Sequence, residues 1–144
     1  MTSDDLDRVE SELGVRLPSD YRALVITYPV GLGRSGPDYK LLDDPEQLIA
    51  INRLLREEGF FGSPWPAHFF SFGGDGMGNE YYLDLRREPS PVYFADHEGT
   101  LDSEQWPTLE AWLTERMQEQ AEWEAEERRR AERKAAKRWW QFWV

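Results

Sequence analysis

The chain of 144 residues contains no cysteine and only two histidines. Without thiols it has no disulfide, no thiol nucleophile and no thiolate metal ligand, which fits a reducing compartment. It also lacks any run of about 18 apolar residues, so the sequence excludes a membrane-spanning helix. Its first ten residues, MTSDDLDRVE, lack the basic and apolar segments of a signal peptide. We therefore expect a cytoplasmic globular protein of one domain with a tail.

Charge is unevenly distributed along the chain. Residues 128–144 contain seven Lys or Arg and one Glu, a balance of +6, so the total of -11 leaves -17 on residues 1–127. An acidic body repels nucleic acids and anionic membrane surfaces and attracts basic proteins. The sequence thus favours a basic protein partner and disfavours nucleic acid.

Apolar periodicity predicts an α+β fold in which an antiparallel meander is covered on one face by helices. The predicted helices are Asp4–Leu13 capped by Ser3, a second that Pro18 opens, a third that Pro45 opens after the cap Asp44, and a last one that begins at Thr108. The predicted strands are Tyr39–Leu42, Phe69–Phe72, Tyr81–Arg86 and Val92–Ala95. Glycine and proline clusters separate these elements.

The pattern changes near residue 120. Before that point the last helix carries an apolar stripe formed by Leu109, Trp112, Leu113 and Met117. Beyond it, Glu122–Arg138 is charged almost all round, with glutamate and arginine at spacings that support a helix. We therefore predict an interaction domain over residues 1–120 and a charged helical extension with a Trp-rich tail over 121–144.

Polar residues at predicted strand ends raise the question of catalysis. Asp84, Asp96, His97 and Glu98 are of types that bind metals or transfer protons. They also end strands and satisfy turns, and we favour this structural role. No nucleophile motif accompanies them, no histidine pair has zinc spacing, and the glycine turn at 73–78 lacks the lysine of a phosphate loop. The sequence predicts no catalytic residue, no metal and no cofactor.

Aromatic residues near those acids suggest a protein-binding surface, since Tyr and Trp are enriched at such interfaces. The alternative is core packing, and strand alternation divides the aromatics between the two roles. The predicted partner-binding set is Trp65, Asp75, Glu80, Tyr82, Asp84, Tyr93, Asp96 and Glu98.

Three segments, taken in order and spacing, resemble the SUKH superfamily of bacterial toxin-immunity proteins and fungal cell-wall-synthesis regulators. The first, Leu13-Gly-Val-Arg-Leu-Pro-Ser-Asp-Tyr21, is similar to the family's opening helix–turn–helix. The second, Phe70-Ser-Phe-Gly-Gly-Asp-Gly76 with Gly78–Leu85, resembles its glycine-rich hairpin. The third, Pro91–Glu98, resembles its strand ending in Asp-His-Glu.

This resemblance covers roughly residues 5–117 and implies a non-catalytic α+β domain used for protein binding. The family's Asn-Gly-Gly-like turn after the second helix is replaced here by Tyr28-Pro-Val-Gly-Leu-Gly33. By the resemblance, the partner is a cognate toxin, often a basic nuclease or deaminase. A general regulatory interaction module of the same fold is the alternative.

Four aromatic residues end the chain: Trp139, Trp140, Phe142 and Trp143. Each large aromatic gains roughly 1.5–3 kcal/mol on burial, so we expect them to anchor something. The alternatives are self-association or docking on the same domain, anchoring in a partner, and contact with a membrane surface, which the acidic body disfavours. Deleting Trp139–Val144 is expected to leave the domain folded and to reduce oligomer size or partner affinity.

Overall fold

A computed structural model describes residues 1–29, 31–32, 40–99, 101 and 103–143 of the chain. Within them lie four helices and a five-stranded sheet. In chain order the elements are α1 (Ser3–Leu13), α2 (Ser19–Thr27), β1 (Lys40–Leu41), α3 (Pro45–Glu58), β2 (Phe69–Gly74), β3 (Glu80–Asp84), β4 (Val92–Ala95), β5 (Ser103–Trp106) and α4 (Leu109–Phe142). This confirms the predicted α+β class.

The sheet is an antiparallel meander whose strands lie side by side in chain order. The predicted strand at 92–95 is confirmed residue for residue. The predicted strand at 39–42 is shorter, and Tyr39 lies outside the described residues. β5 was not predicted, because Ser-Glu-Gln-Trp has no apolar alternation and becomes a strand only by pairing with β4.

Local capping rules set most helix ends. α1 begins one residue earlier than predicted, because Thr2 and not Ser3 caps it: the Thr2 hydroxyl accepts from Asp5 N at 3.1 Å and the Asp5 carboxylate accepts from Thr2 N at 2.8 Å. This reciprocal pair satisfies two otherwise free amides. Asp44 caps α3 as predicted, accepting from Gln47 N at 2.9 Å, and Gly59 ends it.

One face of the sheet packs against the helices to form the larger core. The register aligns Phe70, Leu83 and Val92 across β2, β3 and β4 on this face. All four helices contribute buried side chains, α4 only from its start, where Trp112 is completely buried and lies 5.0 Å from the Phe72 ring. This layer is the covered face that the sequence predicts.

The opposite face of the sheet is also covered, contrary to the prediction of a single covered face. A second apolar cluster consists of Leu55, Phe60, Trp65, Phe69, Tyr82 and Ala95. The turn after α3 and the proline-rich segment that follows it supply the covering side chains. Consequently β3 is buried on both faces from Tyr81 to Asp84, and its alternation does not mark a solvent-exposed side.

α3 closes the edge of the sheet beyond the short strand β1. The completely buried Asn52 donates to the carbonyl of Ser71 at 2.8 Å and accepts from Ser71 N at 2.9 Å. Its amide therefore replaces the strand residue that β1 is too short to provide. A second donation, to Leu48 O at 2.9 Å, holds the amide in place.

α4 buries only its first part. Thr108 caps it as predicted, accepting from Ala111 N at 3.1 Å. The predicted stripe is only partly buried: Leu109 and Trp112 lie in the core, Leu113 is half-buried and Met117 is 36% exposed. Arg116 lies in their place, one helical turn beyond Trp112, where sequence patterns gave no signal for a buried cation.

Arg116 is buried because aromatic and acidic groups surround its guanidinium. It donates to the Tyr81 hydroxyl at 2.8 Å and pairs with Glu119 at 2.9 Å. The guanidinium also lies 5.1 Å from the Trp106 ring centroid, a cation–π distance. These contacts fasten α4 to β3 and β5.

Beyond Gln120, the last buried residue, α4 continues into solvent as far as Phe142, and we call residues 121–143 the extension. Ion pairs between neighbouring turns support it, with Glu126 at their centre. No helix in the described part of the chain is long and apolar enough to cross a bilayer.

Candidate functional site

A strained two-residue turn presents an aromatic side chain after α3. Phe60 and Ser63 exchange backbone hydrogen bonds of 2.8 and 2.9 Å. Between them, Phe61 has φ of 44° and Gly62 of 85°. Both positive values define a type I′ turn, which favours Asn, Asp or Gly at its first central position. A phenylalanine there holds a conformation that costs of order 1–3 kcal/mol, and its ring is 70% exposed.

The β2–β3 turn lies beside this aromatic. The Asp75 carboxylate accepts from Met77 N at 2.8 Å and from the Asn79 side chain at 2.6 Å, which fixes the loop. Gly78 approaches the Phe61 ring closely, since a β-carbon there would lie 3.8 Å from its Cζ. Met77, at the tip, is 65% exposed. Two apolar side chains thus project near one another.

Asn79 joins this turn to the turn that follows β4. Its side-chain oxygen accepts from His97 N at 3.0 Å and lies 2.6 Å from His97 Nδ1. Asp96 closes the second turn by accepting from Glu98 N at 2.9 Å. The His97 ring lies 5.7 Å from that of Phe61. Contacts between side chains therefore connect the three turns into one surface.

We call this surface the turn face and define it as Phe61, Asp75, Met77, Asp96 and Glu98. It combines two exposed apolar side chains with three carboxylates. Backbone and side-chain hydrogen bonds hold its turns, so the surface is formed before any partner arrives. Such preorganisation reduces the entropy lost on binding.

A groove of about 530 Å³ continues from the turn face between α3 and the β2–β3 hairpin. Ala50, Ile51 and Leu54 line its helical wall, and Leu54 is 47% exposed. The opposite wall is glycine backbone. Gly74 is required there, because a β-carbon would lie 2.6 Å from the carbonyl oxygen of Asn79. The groove is a narrow apolar continuation of the surface.

Glu80 provides a carboxylate in this groove. It accepts a hydrogen bond from the Ser71 hydroxyl. Burial raises the pKa of Glu80, the Ser71 hydrogen bond lowers it and the neighbouring Asp75 adds a small increase, so that the resulting pKa is about 6. A cationic group of a partner placed near Glu80 would stabilise its ionised carboxylate and so lower its pKa.

The predicted partner-binding residues differ in how accessible the structure leaves them. Asp75, Glu80, Asp96 and Glu98 lie at the turn face and its groove. Trp65, Tyr82 and Asp84 are at most 4% exposed. The second apolar cluster and the local turn enclose their side chains, whereas the predicted role in partner binding requires exposed side chains. Tyr93 is half-buried and stacks on Tyr82 at 5.2 Å. A role in binding stays a prediction for the accessible members.

The four residues considered for catalysis are not brought together. Asp84 ends β3, whereas Asp96 follows β4 beside Glu80, which begins β3. Four residues of strand separate these ends by roughly 13 Å. Asp84 forms a 2.8 Å ion pair with Arg86, whose hydrogen bonds lower the pKa of the Asp84 carboxyl. Among the described residues, no three His, Asp or Glu side chains are grouped to hold a metal ion.

The predicted tail anchors lie at the end of the extension and are not packed against the body. Trp139, Trp140, Phe142 and Trp143 are 70–88% exposed. Docking on the same copy of the domain is therefore not the arrangement in this structure.

Sequence patterns missed Phe61, Met77 and Asn79. Phe61-Gly62 has the wrong first residue for a recognisable hairpin turn, and only the backbone reveals its strain. Asn79 accepts a hydrogen bond from His97, which lies 18 residues later in the chain, and a local sequence pattern does not predict a contact at that separation. The Asp75–Gly78 glycine cluster did signal a tight turn, but not which side chain it would expose.

A model of the SMI1/KNR4 family (SUKH-1) matches residues 1–115 of the chain. The match spans α1 through the first turns of α4, including the turn face, and stops before the extension. Searches of curated proteins and of solved structures gave no match.

Proposed function

Because the chain belongs to the SMI1/KNR4 family (SUKH-1), we propose that it is an immunity protein that neutralises a cognate bacterial toxin by direct binding, without catalysis. The family covers both toxin-immunity and regulatory members and is generally non-catalytic. The toxin belongs to a polymorphic toxin system, and the two proteins meet in the bacterial cytoplasm.

The main support for this proposal is that Phe61 is both strained in its backbone and exposed to solvent. A residue in a sparsely populated backbone region reduces stability, and Phe61, being 70% exposed, regains only a small part of that cost from burial in the isolated chain. Such strain is common at binding sites, and desolvated aromatics dominate interface energies. Phe61 therefore serves as the central anchor of the toxin interface.

Charge supports a basic partner. The turn face contributes three carboxylates to a body that carries -17 over residues 1–127. Opposite charge accelerates association, and rim charges mainly set the on-rate. We expect a basic toxin domain, such as a nuclease or deaminase, whose on-rate falls as salt rises from about 20 to 500 mM.

Glu80 supports the same choice of partner. A Lys or Arg entering the groove would stabilise the ionised Glu80 carboxylate and lower its raised pKa. Complex formation near pH 6 would then release a proton, a signature that calorimetry in buffers of different ionisation enthalpy detects.

The decisive experiment replaces Phe61 by asparagine. Asparagine favours the type I′ turn, so Phe61→Asn should stabilise the isolated chain by about 1 kcal/mol while it weakens toxin binding at least tenfold. The measurements are urea unfolding and biosensor affinity for the toxin domain encoded beside this chain, with growth protection on co-expression. A variant that is more stable and binds equally well would refute Phe61 as the anchor.

Two matched variants control for charge. Asp96→Asn on the turn face and Asp4→Asn on α1 each remove one carboxylate charge. Only the first should slow association with the toxin. If the neighbouring gene encodes no toxin and the chain protects against none, the regulatory alternative within the family takes precedence.

A further inference from the structure

The helix α4 carries charge of opposite sign in its first and second halves. From residue 109 to 127, α4 contains seven Glu and one Arg, whereas residues 128–138 contain seven Lys or Arg and one Glu. Glu126 pairs with three of the arginines. Arg128, Lys134, Lys137 and Arg138 form no ion pair with another described residue. The sign of the charge thus reverses between 127 and 128, with cations left over at the far end.

The aromatics follow directly on those cations. Trp139, Phe142 and Trp143 lie on one side of the helix together with Ala135 and enclose an open apolar hollow. Their 70–88% exposure leaves a large apolar surface in water. Exposed apolar patches of this kind mark interaction sites.

The body offers a receptor for them at the start of the same helix. A groove of about 680 Å³ runs between α2 and α4, with an apolar lining that includes Leu24, Ile26, Leu109 and Leu113. Asp20 and Glu110 lie at its rim. Ile26 is 45% exposed. The groove therefore matches the tail in both apolar character and charge.

The tail and the groove residues of α4 also lie at similar distances from the point of charge reversal, on opposite sides of it. At 1.5 Å per residue, the aromatics lie roughly 17–23 Å beyond the point of charge reversal, and Leu113 and Leu109 lie roughly 22–28 Å before it. Two antiparallel copies of α4 that cross at this point place Phe142 of one beside Leu113 of the other. The same arrangement sets the basic part of each helix against the acidic part of its partner.

We propose that the chain forms a symmetric dimer in which two α4 helices pair antiparallel across residues 127 and 128, and each Trp-rich tail occupies the α2–α4 groove of a second copy. A two-fold axis makes both contacts identical. Eight aromatic side chains of about 150 Å² each would bury roughly 1,200 Å², within the range of specific interfaces. No turn-face residue lies on α4 or lines the α2–α4 groove, and the dimer does not depend on the toxin proposal.

Cross-linking tests the pairing directly, because the chain has no native cysteine. Thr114 and Gln141 are exposed and become neighbours in the antiparallel dimer. Equimolar Thr114→Cys and Gln141→Cys chains should form a disulfide-linked heterodimer on mild oxidation. In this dimer, like positions are roughly 40 Å apart, so neither variant alone should cross-link. Efficient cross-linking of Gln141→Cys alone would overturn the antiparallel arrangement.

Charge reversal tests the complementarity. Glu122→Lys with Glu124→Lys, and separately Lys134→Glu with Lys137→Glu, should each weaken self-association at least tenfold in sedimentation equilibrium. Mixing the two variants should restore a heterodimer. Failure of the mixture to associate, with both variants folded by circular dichroism, contradicts the proposal.

The tail and the groove have their own variants. Trp139→Ala with Trp143→Ala in the tail, or Ile26→Asp in the groove, should abolish the dimer, while Gln141→Ala leaves it intact. Flotation with phosphatidylcholine vesicles, with and without phosphatidylserine, runs in parallel. A full chain that sediments as a monomer and floats through its tryptophans would assign the tail to membranes and refute the dimer.

Discussion

The body and the extension use the same residue types in opposite environments. Trp112 is completely buried and contacts Phe72 and Tyr81, whereas Trp139 is 70% exposed. Arg116 is enclosed by aromatic rings and two glutamates, whereas Arg130 pairs with Glu126 and Glu127 in solvent. All four of these residues lie on one continuous helix, α4, so helix propensity alone does not distinguish their environments.

The contribution of an α4 side chain to folding stability therefore depends on whether another part of the body packs against that stretch of the helix. Within the body, α4 packs against the sheet and against Trp106. Beyond Gln120, the described side chains pair with neighbouring turns of the same helix, mostly in exposed ion pairs of low individual worth. The body should therefore determine stability, and the extension should determine association.

The sharpest test compares the same substitution in both regions. Trp112→Ala removes a completely buried ring and should lower the free energy of unfolding by about 3–5 kcal/mol. Trp139→Ala removes an exposed ring and should leave the unfolding midpoint of the dilute protein unchanged. Urea denaturation followed by circular dichroism measures both. A large loss with Trp139→Ala at submicromolar concentration would erase the contrast.

Buried and exposed amides provide a second test. Asn52→Ala leaves the N–H and C=O groups of Ser71 without partners and should cost about 2–6 kcal/mol, since each of these two unsatisfied buried groups costs about 1–3 kcal/mol. Gln141→Ala in the extension should cost nothing measurable. Amide hydrogen exchange adds a local readout: protection at Ser71 should fall more than protection in β4. Equal stability of both variants would show that water replaces Asn52.

The pH dependence of the body sharpens the comparison further. The pKa of Glu80 is raised from 4.5 to about 6, so burial favours its protonated form. The associated stability is complete below pH 4.5 and is lost as the pH rises through 6. Glu80→Gln should keep it at every pH and be about 2 kcal/mol more stable than the native chain at pH 8. The two chains should converge near pH 4. A constant difference between them would contradict the linkage.

The smallest effect is expected from the ion pairs of the extension. Arg133 and Arg129 lower the pKa of the exposed Glu126 carboxyl below 4.5, so its contribution is present above that pH and is lost on acidification. Glu126→Gln should slightly reduce helical ellipticity at pH 7 and low salt, and leave the unfolding midpoint of the body unchanged. The difference should vanish below about pH 3 or in 1 M salt. A shift of the unfolding midpoint would show that the ion pairs of the extension contribute to the stability of the body, contrary to this prediction.

The candidate site was only partly predictable from the sequence. Asp75, Asp96 and Glu98 follow or precede strand signals, so their position in turns at the sheet's end could be inferred. Trp65 and Tyr82 could not be assigned to core or surface, because alternation within β3 does not reveal whether its second face is covered. Phe61 was missed because its strain exists only in the folded backbone.

Local rules determined the elements of this protein. The Asp44 and Thr108 caps, the Gly14 and Gly59 helix ends and the strand Val92–Ala95 depend on residues within a few positions of one another, so the sequence specifies them directly. The tertiary structure alone decided the second covered face, the pairing of β5, the edge closure by Asn52 and the burial of Arg116. Each of these features joins groups that are far apart in the chain. Their favourable free energy is gained only when the folded sheet removes both partners from water together.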